Sequence, residues 1–173
     1  MAGACGGATR PPEERGRGSA VSDGFGATIR RVRSHYDLCF GCGMDNPLGL
    51  HLDGFRRHGE SGITATFVPR DDYRGFADVL HGGIIAAALD ETMAWTAMLR
   101  AGSMVVTAKL DLRYRAPAPV TEPLLLKGTL VEQRGKRLVL EAEAISGDVK
   151  VAQASALFLV THPLPTEDDD TPS

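Results

Sequence analysis

No apolar run in this chain is long enough to cross a bilayer as a helix, and none near its start has the length of a secretory core. Cysteine is scarce: three in 173 residues, one of them in the N-terminal stretch, too few for a disulfide framework. Aromatics make up only 6% and the net charge is −3, so there is neither a basic field nor an aromatic-studded basic stripe for nucleic acid. No serine stands in a G-x-S-x-G turn, which excludes the nucleophile elbow of serine hydrolases. These absences point to a cytoplasmic protein with no membrane span and no nucleic-acid partner. Residues 1–33 do carry six Arg, as an organelle-targeting segment would, but Glu13, Glu14 and Asp23 among them argue against that role.

What is present suits one domain, with 43% hydrophobic and 24% charged residues. Residues 1–27, rich in Gly, Ala, Pro and Arg and without hydrophobic periodicity, read as a disordered tail, and so does the acidic segment 163–173. Between them, in residues 28–162, the pattern is mostly period two. Ile63, Ala65 and Phe67 alternate with Thr64 and Thr66. Val106, Ala108, Leu110, Leu112 and Tyr114 alternate with Thr107, Lys109, Asp111 and Arg113, and Leu138, Leu140, Ala142 and Ala144 mark another strand. Gln133 to Lys136 and Ser146 to Asp148 read as hairpin turns, and a long run from Val149 to Val160 as a covered strand. One segment, about 83–99, is convincingly helical, with Gly102 as its stop. It is apolar on nearly every face and so must be wrapped by protein. The expectation is an α+β domain, a curved antiparallel sheet around one central apolar helix.

The chemistry concentrates where that helix begins. His81-Gly82-Gly83 opens it with two residues lacking Cβ, so a ligand can approach the backbone closely. The first N–H groups of a helix have no internal partners and sit at its positive end, a favourable place for a developing oxyanion. Asp90 follows about two turns later among Ile84 to Leu89 and Met93 to Leu99, where an unpartnered carboxylate is costly. Glu91 is the neighbouring acid, rotated by about 100°.

His-Gly-Gly, six residues, then Asp resembles the active-site helix of hotdog-fold acyl-CoA thioesterases of the PaaI-like branch. Thr107 to Pro117 is similar to the strand that follows that helix, and Cys39-Phe40-Gly41-Cys42-Gly43-Met44-Asp45-Asn46-Pro47-Leu48-Gly49-Leu50 to the opening segment of one subgroup. The likeness spans residues 36–162. It implies a thioester hydrolase that needs no cofactor, with Asp90 as base or nucleophile and the Gly82 N–H as oxyanion donor. His81 would organise the turn, and Thr107 would orient water or the carboxylate. Gly83, Arg113, Arg115, Lys136 and Arg137 become candidates for contacts with substrate, the cations toward coenzyme A phosphates.

Two other classes remain as alternatives: a non-catalytic acyl-CoA-binding or scaffold protein of the same fold, and an enoyl-CoA hydratase, for which His81 is poorly spaced from Asp90. A metal is not expected. Cys39 and Cys42 form one pair where a closed zinc site commonly needs two, and His35, His51 and His58 fall at irregular distances. Nor do the turn residues after Cys42 suit a thioredoxin-like role. Gly82 and Asp90 are eight residues apart, about 12 Å along a helix, whereas one thioester must reach both. That spacing predicts active sites shared between subunits of a homodimer or a dimer of dimers.

Overall fold

In the computed structural model, residues 24–166 are described. They form helix α1 (Gly24–His35), strands β1 (Asp53–His58) and β2 (Gly62–Phe67), a single 3₁₀ turn at Asp71–Tyr73, helix α2 (Gly82–Ala101), and strands β3 (Ser103–Tyr114), β4 (Leu124–Arg134), β5 (Arg137–Ser146) and β6 (Val149–Pro163). The strands make one sheet in the order β1-β2-β4-β5-β6-β3, antiparallel at every junction. The sheet curves around α2, the hotdog architecture.

Alternation on β2 and β5 holds as read: Ile63, Ala65, Phe67, Leu138, Leu140, Ala142 and Ala144 are all buried. The helix is slightly longer than the pattern suggested and ends at Gly102, whose left-handed φ of 62° costs a glycine little. Ile85, Leu89, Met93 and Ala97 from α2 pack with Leu126, Leu140 and Phe158 from the sheet. The two buried hydroxyls of α2, Thr92 and Thr96, donate to the carbonyls of Ala88 and Thr92 at 2.8 Å, so neither is left unpaired. Close approach of helix to sheet depends on Gly128, where a Cβ would stand 2.4 Å from Thr96 Oγ1.

Three features depart from the pattern. Helix α1 was not expected, and the boundary drawn at residue 27 falls inside it; it buries Ile29 and Val32 against Trp95 and Met98. Residues 1–23 and 167–173, where most of the two tails was placed, lie outside the described residues. Strands β1 and β4 had no clear alternation. In β4 the unbroken Leu124-Leu125-Leu126 hides it, although the outer two are buried and Leu125 is exposed. Finally, β3 changes phase. Its register against β6 slips between Thr107 and Lys109, a bulge that spends one extra residue. Val105 therefore joins Leu110 and Leu112 against the core, while Val106, expected on their face, is 52% exposed.

Candidate active site

Helix α2 starts as a turn built by its own first residues. His81 adopts an extended backbone (φ −62°, ψ 132°), and its Nδ1 accepts the Gly83 N–H at 2.9 Å. That fixes the ring's other nitrogen as the one bearing hydrogen in the neutral form and makes His81 a cap. The Ile84 and Ile85 N–H groups both turn to the His81 carbonyl. With Gly83 capped, the Gly82 N–H is the first helix donor that no hydrogen bond among the described residues engages. Tyr114, from the end of β3, lies over this turn and donates its hydroxyl to the Gly82 carbonyl at 2.6 Å. A Cβ on residue 82 would come 3.0 Å from that hydroxyl.

Asp90 is half-buried two turns further along. Thr107 Oγ1 donates to its Oδ1 at 2.8 Å. Burial raises the Asp90 carboxyl above its ordinary range, and the Thr107 hydroxyl partly offsets this by favouring the charged form. The β3 bulge makes the contact possible. Thr107 and Tyr114 are seven positions apart, and unbroken alternation would put them on opposite faces. The extra residue restores them to one face, where both reach α2.

Within one chain, then, the fold joins His81 to Gly83, Tyr114 to Gly82, and Thr107 to Asp90, but Gly82 and Asp90 remain about 12 Å apart along the helix. The cations also separate. Arg113 pairs with Gln153 across the β3–β6 ladder, and Arg115 Nε reaches Gln153 Oε1 at 3.3 Å. Arg137 pairs with Leu159, on the rung of Val106, and Lys136 precedes it in the β4–β5 turn. The two pairs stand about 20 Å apart along the strands. Tyr114 was read only as a strand residue, since alternation carries no sign of its bond to Gly82.

Glu91 points elsewhere, toward Cys39 and Cys42 in the segment before β1. Burial, then the charge of Cys39, pushes its carboxyl up to about 7. The three histidines at irregular spacing do not join it: His51 Nε2 contacts the Asn46 carbonyl at 2.6 Å, His35 ends α1 and His58 ends β1.

A model of the thioesterase superfamily matches residues 77–153. The rat (Rattus norvegicus) acyl-coenzyme A thioesterase THEM4 is 28% identical over 122 residues, 69% of this chain and 52% of the relative. The chain spans about half the length of the curated relatives of that name. The PaaI protein of the E. coli phenylacetic acid degradation operon superposes with a TM-score of 0.67 at 14% identity, over 80% of this chain and 96% of that one. Protein smu.793 of Streptococcus mutans, solved with acetyl CoA bound, gives 0.60 at 19%, over 66% and 91%. No helix among the described residues is long and apolar enough to cross a membrane.

Proposed function

We propose that this chain, which matches the thioesterase superfamily over residues 77–153 and adopts the hotdog fold, hydrolyses an acyl-CoA thioester to a free acid and coenzyme A. The observation that carries the reading is Asp90, a half-buried helix carboxylate with raised proton affinity that is oriented by the exposed Thr107 hydroxyl. Structural carboxylates of this burial usually meet a cation; this one meets a strand hydroxyl at the sheet edge. Its raised proton affinity suits a general base.

In the reaction, the Gly82 N–H at the positive end of α2 receives the thioester carbonyl and stabilises the oxyanion as it forms. Asp90 takes a proton from the attacking water, or attacks the carbonyl carbon itself to give a mixed anhydride that water then cleaves. Either way the C–S bond breaks, the thiolate leaves and is protonated, and the acyl group ends as a carboxylic acid. His81 holds the turn through Gly83 and leaves proton transfer to Asp90.

One thioester cannot touch Gly82 and Asp90 of a single helix, so the site is assembled from two chains. Strand β3 is a twelve-residue edge strand, and a long edge is a template for pairing. Antiparallel pairing of two copies about an axis at Asp111, with the bulge after Thr107 taken into account, sets each Thr107 opposite the partner's Tyr114. Thr107 carries Asp90 and Tyr114 carries Gly82, so this register brings the base of one chain to the oxyanion donor of the other. It also accounts for the divided cations. Lys136 and Arg137 of one chain then share an end with the partner's Arg113 and Arg115, a composite site for coenzyme A phosphates.

The test is release of free thiol from a panel of acyl-CoAs. Turnover by the folded protein is expected, lost on Asp90→Asn; no release above the uncatalysed rate from any member of the panel would overturn the reading in favour of a binding or scaffold protein.

A further inference from the structure

We propose that Cys39, Cys42 and Glu91 form a binding site for one zinc ion that ties the segment before β1 to helix α2. Spacing within the sequence offers only a pair of thiols; the fold supplies the third ligand from 49 residues further on. Both sulfurs and a Glu91 oxygen lie within 4.8 Å of one another, and Cys39 Sγ stands 3.9 Å from Glu91 Oε2. Tetrahedral ligands at zinc distances sit about 3.5 to 3.8 Å apart, so the three need to close by about 1 Å at most. Two thiolates and a carboxylate favour zinc over harder cations. Three protein ligands leave the fourth position to water.

The surroundings are built for these three groups. Residues 39–43 fold into a tight knuckle in which the Gly43 N–H donates to the Cys39 carbonyl at 2.9 Å. The Cys42 thiol favours the Cys39 thiolate most, and with the N–H groups of Cys42, Gly41 and Gly43 it outweighs burial and pulls Cys39 down to about 5. The contact with Cys39, then burial and the nearby Glu91 carboxylate, push the Cys42 thiol up, and a bound cation would take the place of its proton. Gly41 lies against the carboxylate: a Cβ there would fall 2.3 Å from Glu91 Oε2, and one on Gly43 would fall 2.2 Å from the Asp37 carbonyl. The knuckle is held on both flanks, with Leu50 N–H donating to the Phe40 carbonyl and Leu52 N–H to the Gly41 carbonyl.

A second observation is Trp95, one turn beyond Glu91. It is fully buried, and its Nε1 makes no hydrogen bond among the described residues, although it lies near enough to favour ionised Glu91. An indole N–H has only a proton to give. Two thiolates and a carboxylate exceed the charge of a divalent cation by one, and a donor aimed at that excess is the outer support such sites use. On binding, zinc displaces the Cys42 proton and any proton on Glu91 to solvent, and no group changes oxidation state.

The experiment uses the full chain without a histidine tag, reduced and stripped with a chelator, then titrated with Zn²⁺ against a chromogenic chelator and separately with Co²⁺. One equivalent per chain is expected, with thiolate-to-cobalt charge-transfer absorption and protection of Cys39 and Cys42 from alkylation mapped by mass spectrometry. Glu91→Gln should weaken zinc at least about tenfold, Cys42→Ser should reduce the charge-transfer band, and Cys5→Ser should change neither. Substoichiometric binding by the folded, fully reduced protein would overturn the proposal. So would stoichiometric binding that leaves both thiols open to alkylation, a result that needs no variant to fold.

Discussion

Asp90 and Glu91 are consecutive residues of one helix, yet they meet opposite surroundings. Asp90 turns toward the edge strand, where its partner is the exposed Thr107 hydroxyl. Glu91, rotated by about 100°, turns into a closed knuckle of backbone and meets two thiols. Burial raises the proton affinity of both carboxyls. What differs is the segment each one faces: an edge that a substrate and a second chain can reach, against a loop packed with α1 and Trp95. A carboxylate's use is thus set less by its helix than by the neighbour its rotation selects. Chemistry on a passing substrate suits Asp90, and holding an ion suits Glu91.

The sharpest way to break this division is Asp90→Asn, which keeps size and removes the base. Hydrolysis should fall by at least about 10²-fold in a folded protein, while zinc binding persists. Turnover within threefold of the parent would take Asp90 out of the mechanism.

Next comes subunit complementation. Gly82→Pro removes the oxyanion N–H at a first helical position, where proline is tolerated, though its ring presses on Tyr114. A mixed dimer of Gly82→Pro and Asp90→Asn chains has one site with both defects and one with neither. Each homodimer should be inactive and the isolated heterodimer should recover up to half the parent rate, read as thiol release. No recovery in confirmed, folded heterodimers would place both groups in one chain's site and sink the β3 pairing.

Much of this was legible in the sequence, and the lapses have physical causes. The central helix, its glycine stop and the β2 and β5 alternation follow from local periodicity. Helix α1 also left a trace, since Phe25, Ile29 and Val32 have i, i+4, i+7 spacing; its glycines and arginines masked it. The β3 bulge left none, because alternation cannot show where a partner strand drops a residue. That one slip determines whether Thr107 faces Asp90. Glu91 was read only as the acid next to Asp90, since no spacing rule joins it to cysteines 49 and 52 residues away. Of the site's own parts, the His81 turn and Asp90 could be picked out by composition, whereas Tyr114 depends on the tertiary fold.

A smaller effect is expected at the strand side of the active site. Thr107→Val keeps the shape and removes the hydroxyl, so orientation of Asp90 is lost and kcat should fall roughly tenfold. The sign of the pH effect follows from the two opposed causes. Thr107 favours ionised Asp90, and without it burial acts unopposed, so the Asp90 carboxyl rises further. The base works only when deprotonated, and the acidic limb of the kcat/KM profile should therefore move to higher pH. A limb that stays in place would mean that Thr107 does not govern the titrating group.

The smallest change in hydrolysis should come from Glu91→Gln, and that makes it the finest test of the comparison. The substitution keeps the side chain's length and removes the charge beside Cys39 and Asp90. If the two acids serve separate sites, hydrolysis falls by less than about tenfold, far short of the loss at Asp90. Zinc affinity should fall by at least the same factor, since the ion loses its only carboxylate. Asp90→Asn should give the reverse pair of results. The reversal is what matters, because a general loss of stability would lower both readouts in both variants. Should Glu91→Gln cost hydrolysis as much as Asp90→Asn, with its fold confirmed by circular dichroism and its thermal transition, the two carboxylates act as one centre. The knuckle would then belong to the active site.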